Sequence, residues 1–279
     1  MKKRFISVIL SAMMIMTACA PKEETISTVA SKQPEKNEDI QATEAAEGTS
    51  SSTGKTITIG TPYTIDTFLP WDFTSDGDRY VISNVYECLF EYDANTCIPV
   101  LAESYTNPDD CTWDVKIREN AYWHTGNKLF GDEKVQIKAE DVKWVMDWTM
   151  DPANGSKQQT NLSSVVSSVE VLDDFTLRFT TPEPKALFLF TLSRVMIFPK
   201  KAIDEGFDLN AWPVGSGAFK YVSYQTDDQV VLEKNSDYYI TPNVDEVIFK
   251  IIPDKSVSAI ALQNGEIDIT AQVLSTDID

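Results

Sequence analysis

The sequence predicts a mixed α/β fold rich in strands. Three observations carry that expectation. Short stretches with alternating apolar and polar residues recur between residues 55 and 251, as half-buried strands require. Other stretches repeat apolar residues every three or four positions, which gives a helix one buried face. Turn-forming residues separate the two kinds, and no internal repeat is present.

Taken in order, Lys-Thr-Ile-Thr-Ile-Gly at 55–60 reads as the first strand. A stretch rich in turn residues and aromatics follows. Val81, Val85 and Leu89 then form a helical stripe, with Asp78 as its expected N-cap. Trp113, Val115 and Ile117 alternate as a strand. Val142, Val145, Met146 and Thr149 share one helical face. Residues 169–180 read as a hairpin turning at Asp173–Asp174, with Phe175, Leu177 and Phe179 on one side. Residues 185–192 read as a short buried helix. Three alternating runs follow at 219–224, 229–234 and 247–252, then a helix stopping near Asn264–Gly265.

The segment before this body has a different logic. Lys2, Lys3 and Arg4 precede an apolar run from Phe5 to Met16. A bilayer-spanning helix needs about 20 apolar residues, so the run fits an export signal over residues 1–18. Met16-Thr17-Ala18-Cys19 resembles the bacterial lipobox. The resemblance implies cleavage before Cys19 and a lipid thioether on it, which would anchor the protein in the cell membrane on its extracytoplasmic face. Residues 19–54 then read as a disordered tether, without aromatics and rich in Ser, Thr, Glu and Lys. As a flexible coil it would reach roughly 30–35 Å.

Composition excludes some functions. A net charge of -19 leaves no basic surface for phosphate backbones, so nucleic acid is not an expected partner. Once Cys19 is assigned to lipid, Cys88, Cys97 and Cys111 remain as core thiols, and their pairing stays open. Their spacing does not fit a zinc site, and no cofactor is expected. The single histidine, His124, has no GxSxG elbow to serve. With 43 acidic residues some carboxylate pair always looks suitable, so such a pair carries no weight. Catalysis is not expected.

Two blocks bear a family resemblance. The first contains Leu101-Ala102-Glu103, Lys116-Ile117-Arg118, Trp123-His124 and Ala139-Glu140-Asp141-Val142. The second contains Pro213-Val214-Gly215-Ser216-Gly217-Ala218-Phe219, Leu232-Glu233-Lys234-Asn235, Tyr238-Tyr239 and Gly265-Glu266-Ile267-Asp268. In kind, order and separation they resemble the family 5 extracellular solute-binding proteins, which serve ABC importers of oligopeptides, dipeptides and nickel. The resemblance implies a type II periplasmic-binding-protein-like fold with two lobes that close on a ligand. It assigns residues 55–90 and 195–279 to a sheet domain and 91–194 to an inserted small α/β domain. Relatives continue into a second lobe, and the sequence at hand stops at Asp279, where that lobe is expected.

The two blocks are expected to be mostly structural. Gly215 and Gly217 read as a close-packed entry into the strand at Phe219 rather than a phosphate loop. His124 sits in a family turn pattern, so a metal-ligand role is not expected. Lys138 stands where many relatives place a Thr cap.

The implied function is capture of oligopeptides or dipeptides by a lipid-anchored protein that delivers them to ABC permease subunits. Relatives hold an extended peptide through backbone hydrogen bonds. One contributing segment falls on Phe73, Thr74, Ser75, Asp76 and Gly77, the expected ligand-facing residues. Alternatives are binding of a nickel chelate or other small solute, a peptide-sensing surface lipoprotein, and a non-functional gene fragment.

Overall fold

Strand pairing in the computed structural model, which describes residues 54–94 and 96–275, yields two principal sheets. The expected export signal, the lipidation candidate Cys19 and the expected tether up to residue 53 lie outside the described residues. Among the described residues no helix is long and apolar enough to cross a membrane.

The described elements begin with β1 (Thr56–Thr61), α1 (Asp76–Val85), β2 (Glu87–Cys88), β3 (Phe90–Asp93) and β4 (Thr96–Pro99). Next come β5 (Ala102–Asp109), β6 (Thr112–Ile117), α2 (Ala139–Met150), α3 (Gln159–Ser163), β7 (Ser168–Asp173) and β8 (Thr176–Thr180). They are followed by α4 (Phe188–Leu192), β9 (Met196–Ile197) and α5 (Lys200–Asp204). The last are β10 (Phe219–Gln225), β11 (Gln229–Lys234), β12 (Glu246–Ile251), α6 (Lys255–Gln263) and β13 (Ile269–Thr270).

The first sheet runs β10-β11-β12-β1-β13. β1 lies parallel to both neighbours, with Thr56 beside Glu246 and Ile59 beside Ile269. A parallel pair needs a crossover connection, and here the crossover carries the entire second sheet. That sheet, β5-β6-β8-β7, is antiparallel throughout and comes from one continuous stretch. Alternation puts Val230, Leu232, Val247, Phe249 and Ile251 in the core of the first sheet, and Val115, Ile117, Leu177 and Phe179 in that of the second.

α2 matches its expected stripe: Val142, Val145, Met146 and Thr149 are all buried. Lys138 cannot accept a hydrogen bond at the N-cap. The backbone N–H of Lys138 instead donates to the Asp141 carboxylate at 2.8 Å, and its Nζ reaches Asp174 at 2.8 Å. α1 departs from expectation at both ends. Its N-cap is Ser75, whose Oγ accepts from the Asp78 N–H at 3.0 Å. Asp78 is buried and accepts from the N–H groups of Asp66 and Thr67 at 2.7 and 3.1 Å, so it braces the preceding loop. The helix stops at Val85, and Leu89 is buried in the strand region beyond it. Cys88, Cys97 and Cys111 are free thiols, each partly exposed rather than at the centre of the core.

The expected tight glycine entry is present. A Cβ on Gly215 would lie 2.1 Å from the Val85 carbonyl oxygen, and one on Gly217 would lie 2.3 Å from that of Asn84. Gly217 N–H donates to the Val85 carbonyl at 2.8 Å, which satisfies an end of α1. Backbone atoms cannot yield as a flexible side chain can. Gly215→Ala is therefore expected to destabilise the fold by about 3 kcal/mol, the upper end of overpacking costs. Urea denaturation checks this, and an unmoved midpoint would contradict the close approach.

Candidate functional site

The buried stripe of α1 is Val81, Ile82 and Val85. Outside it the helix carries Arg79, Tyr80, Ser83 and Asn84. β2 continues from α1 and pairs antiparallel with β9, setting Cys88 beside Met196. That pairing brings Ser193 and Arg194, just before β9, to the same region. A recess there is lined by Arg79, Ser83, Asn84, Cys88, Glu91 and Ser193, with the Glu87 cluster at its inner wall.

The charges are unusual for an acidic chain. Arg178 makes a two-pronged pair with Asp114, both contacts 2.7 Å. Arg118 donates to the Val100 carbonyl at 2.5 Å and lies 4.3 Å over the Tyr239 ring. Arg79 and Arg194, by contrast, take part in none of the ion pairs among the described residues. They lie within electrostatic range of each other and of the Cys88 thiol. Burial, and then the positive charge of Arg79, push Arg194 below the usual guanidinium range; Cys88 and Asp76 act in the opposite sense. Burial pushes the Cys88 thiol up to about 12 despite both arginines. It is therefore a protonated thiol, not a nucleophile.

Glu87 is fully enclosed. Its carboxylate accepts from Ser216 Oγ at 2.8 Å and Tyr238 OH at 3.1 Å, and also meets Tyr239 OH. The Tyr239 hydroxyl lies 3.0 Å from the Val100 carbonyl as well, and its one hydrogen cannot serve both partners. A proton on Glu87 resolves the conflict, because Glu87 then donates to Tyr239. Burial raises the Glu87 carboxyl to about 7, against the pull of its three hydroxyl partners and Arg118. His124 is also buried. Its Nε2–H donates to the Gly217 carbonyl at 2.9 Å, and Nδ1 faces the Gly215 N–H at 3.4 Å. Burial lowers it to about 4, with Lys220 adding to the shift against the Gly217 hydrogen bond. Both ring nitrogens are engaged within the fold, in line with the expected structural role.

The segment expected to face a ligand is now placed. Phe73 is buried in the core, Ser75 is occupied as the α1 cap, and Gly77 packs where a Cβ would lie 2.3 Å from the Thr64 carbonyl. Thr74 and Asp76 remain exposed. Asp76 precedes the recess-lining Arg79 by three residues on α1. Trp71 packs on Trp148 and Phe198, with ring centroids 4.9 and 4.8 Å away. Tyr63 contacts Tyr80 and receives a hydrogen bond from Gln272. The sequence reading passed over Arg79, Arg194 and Glu87. Their burial and surroundings depend on tertiary structure, Glu87 on the strand it forms with β9.

The family model "Bacterial extracellular solute-binding proteins, family 5 Middle" matches residues 96–279. The glutathione-binding protein GsiB of Pectobacterium atrosepticum is 29% identical over 217 residues, covering 75% of this chain and 40% of that protein. The solved structure of DppA from Helicobacter pylori in complex with the peptide STSA gives a TM-score of 0.69 at 28% identity, covering 76% of this chain and 45% of DppA. NikZ from Campylobacter jejuni in complex with Ni(L-His) gives 0.66 at 27% identity, covering 76% and 42%. The chain thus spans about two fifths of the length of the curated relatives it matches.

Glu87 and His124 give stability opposite pH dependences. The raised Glu87 favours folding fully below about 4.5, and that contribution is lost as pH rises to about 7. The lowered His124 favours folding above about 6.5, and that contribution is lost as pH falls toward 4. Between pH 4.5 and 6.5 they offset each other. Glu87→Gln keeps the shape and removes one titration. The variant is expected to exceed the wild type in unfolding free energy at pH 8, by on the order of 3 kcal/mol at most, with the gain shrinking toward pH 4.5. Denaturant titration at pH 5 and 8 checks this. A pH-independent difference would rule out a titrating Glu87.

Proposed function

The chain belongs to the bacterial extracellular solute-binding proteins, family 5, and from that premise we propose that it captures oligopeptides or dipeptides for an ABC importer. It holds the solute outside the cytoplasmic membrane, releases it to permease subunits and does no covalent chemistry on it. One observation carries this reading: the family match coincides with a fold shared with DppA, a relative solved with a bound peptide. Thr74, Asp76 and the backbone of residues 73–77 contact the solute, because they are the part of the expected segment not consumed by the core or the α1 cap. Cys19 carries the lipid anchor. Residues 55–90 and 195–279 form one domain and 91–194 the inserted one. The separate origins of the two principal sheets support that division.

A small chelate is the second reading, supported by the likeness to NikZ with its Ni(L-His) ligand. In that case the solute brings its own metal ligands, since both ring nitrogens of His124 are engaged within the fold.

Two measurements test the proposal. Calorimetric titration of the chain with di-, tri- and pentapeptides, and with Ni(L-His), is expected to give saturable binding to the peptides. Binding of the chelate alone would favour the second reading, and no binding of either would count against both. Cys19→Ala is expected to move the protein from the membrane fraction to the soluble fraction of the cells. Unchanged membrane retention would remove the lipid anchor from the proposal.

A further inference from the structure

The recess beside α1 is lined by a cation and an acid from different elements, Arg79 and Glu91. Arg79 and Ser83 lie one turn apart on α1, outside its buried stripe. In β3, Phe90 is wholly buried, so the alternation of the strand turns Glu91 away from the core. Neither Arg79 nor Glu91 belongs to an ion pair among the described residues, so they do not close on each other to within 4 Å. Glu87, at the inner wall, is already engaged by Ser216, Tyr238 and Tyr239. Asn84 Nδ2 donates to the Tyr80 carbonyl at 2.6 Å, and Ser193 Oγ to the Phe190 carbonyl at 2.8 Å. Each of these two therefore has acceptor oxygen left over. The recess has a volume of about 160 Å³, roughly ten times the minimum for one water molecule.

We propose that this recess binds a small zwitterion, a free α-amino acid, whose carboxylate meets Arg79 and whose ammonium group meets Glu91. The site goes beyond peptide capture, since it uses none of residues 73–77. A guanidinium fork takes a carboxylate through two parallel charge-assisted bonds. An ammonium group brings three donors and no acceptor, which suits Glu91 and the acceptor oxygens of Asn84 and Ser193. An anion alone would meet the acid, and a cation alone would meet the guanidinium. Only a molecule with both charges is favoured at both ends. Desolvation, and then the charge of Asp93, raise the Glu91 carboxyl, against the pull of Arg79. A ligand ammonium would supply the countercharge that no residue gives. An extended peptide separates its end charges by about 3.5 Å per residue, whereas an amino acid carries both on one carbon. Val100 and Met196 in the lining suit a short aliphatic side chain.

The experiment is calorimetric titration of the 279-residue chain with alanine, N-acetylalanine, alaninamide and trialanine. N-acetylalanine lacks the ammonium group and alaninamide lacks the carboxylate. Alanine is expected to bind the wild type at least tenfold more tightly than either blocked form. Arg79→Gln is expected to weaken alanine and leave alaninamide unchanged. Glu91→Gln is expected to weaken alanine and leave N-acetylalanine unchanged. The blocked ligands read both charges on the wild type, so a variant that fails to fold does not spare the proposal. Equal affinity for alanine and its blocked forms would overturn the site, as would alanine binding that neither variant alters. Alanine bound without trialanine would support the site and count against peptide capture. Trialanine bound without alanine would overturn the site and leave peptide capture standing.

Discussion

The whole arrangement depends on the contact between the Pro213–Phe219 segment and the C-terminal end of α1. Gly215 and Gly217 approach the helix carbonyls more closely than any side chain permits. Around that contact the polar side chains of His124, Ser216, Glu87 and Asn235 are all partnered. His124 closes on Gly215 and Gly217, Ser216 donates to Glu87, and Asn235 Nδ2 donates to the Gly217 carbonyl at 2.9 Å. Residues from 85–88, from 124 and from 213–235 thus meet at one buried junction. Buried polar networks stabilise only when fully satisfied, so this junction ties distant stretches of chain together with little tolerance for change.

The junction also explains why the recess has the chemistry it does. α1 is fixed at its start by the Ser75 cap and the Asp78 brace, and at its end by Gly217. A helix held at both ends presents its remaining face in one orientation, and rigid presentation reduces the ordering cost of binding. Arg79 is on that face. The β2–β9 pairing that begins immediately after the helix brings Ser193 and Met196 to the same recess.

Much of the fold was legible from the residues. The α2 stripe, the 168–180 hairpin and the strands at 219–251 follow from periodicity, because each buries one face against its neighbours. The α1 boundaries were not. Leu89 continues an i+4 spacing but lies in the strand region after the helix, because the close glycine contact caps the helix at Val85. Asp78 looked like a cap because acids suit a helix start, whereas its carboxylate was needed for the loop at 66–67. The site was legible only as a segment. Which of residues 73–77 remain free depends on burial of Phe73 and capping by Ser75, and the recess that joins Arg79 to Ser193 depends on the β2–β9 pairing.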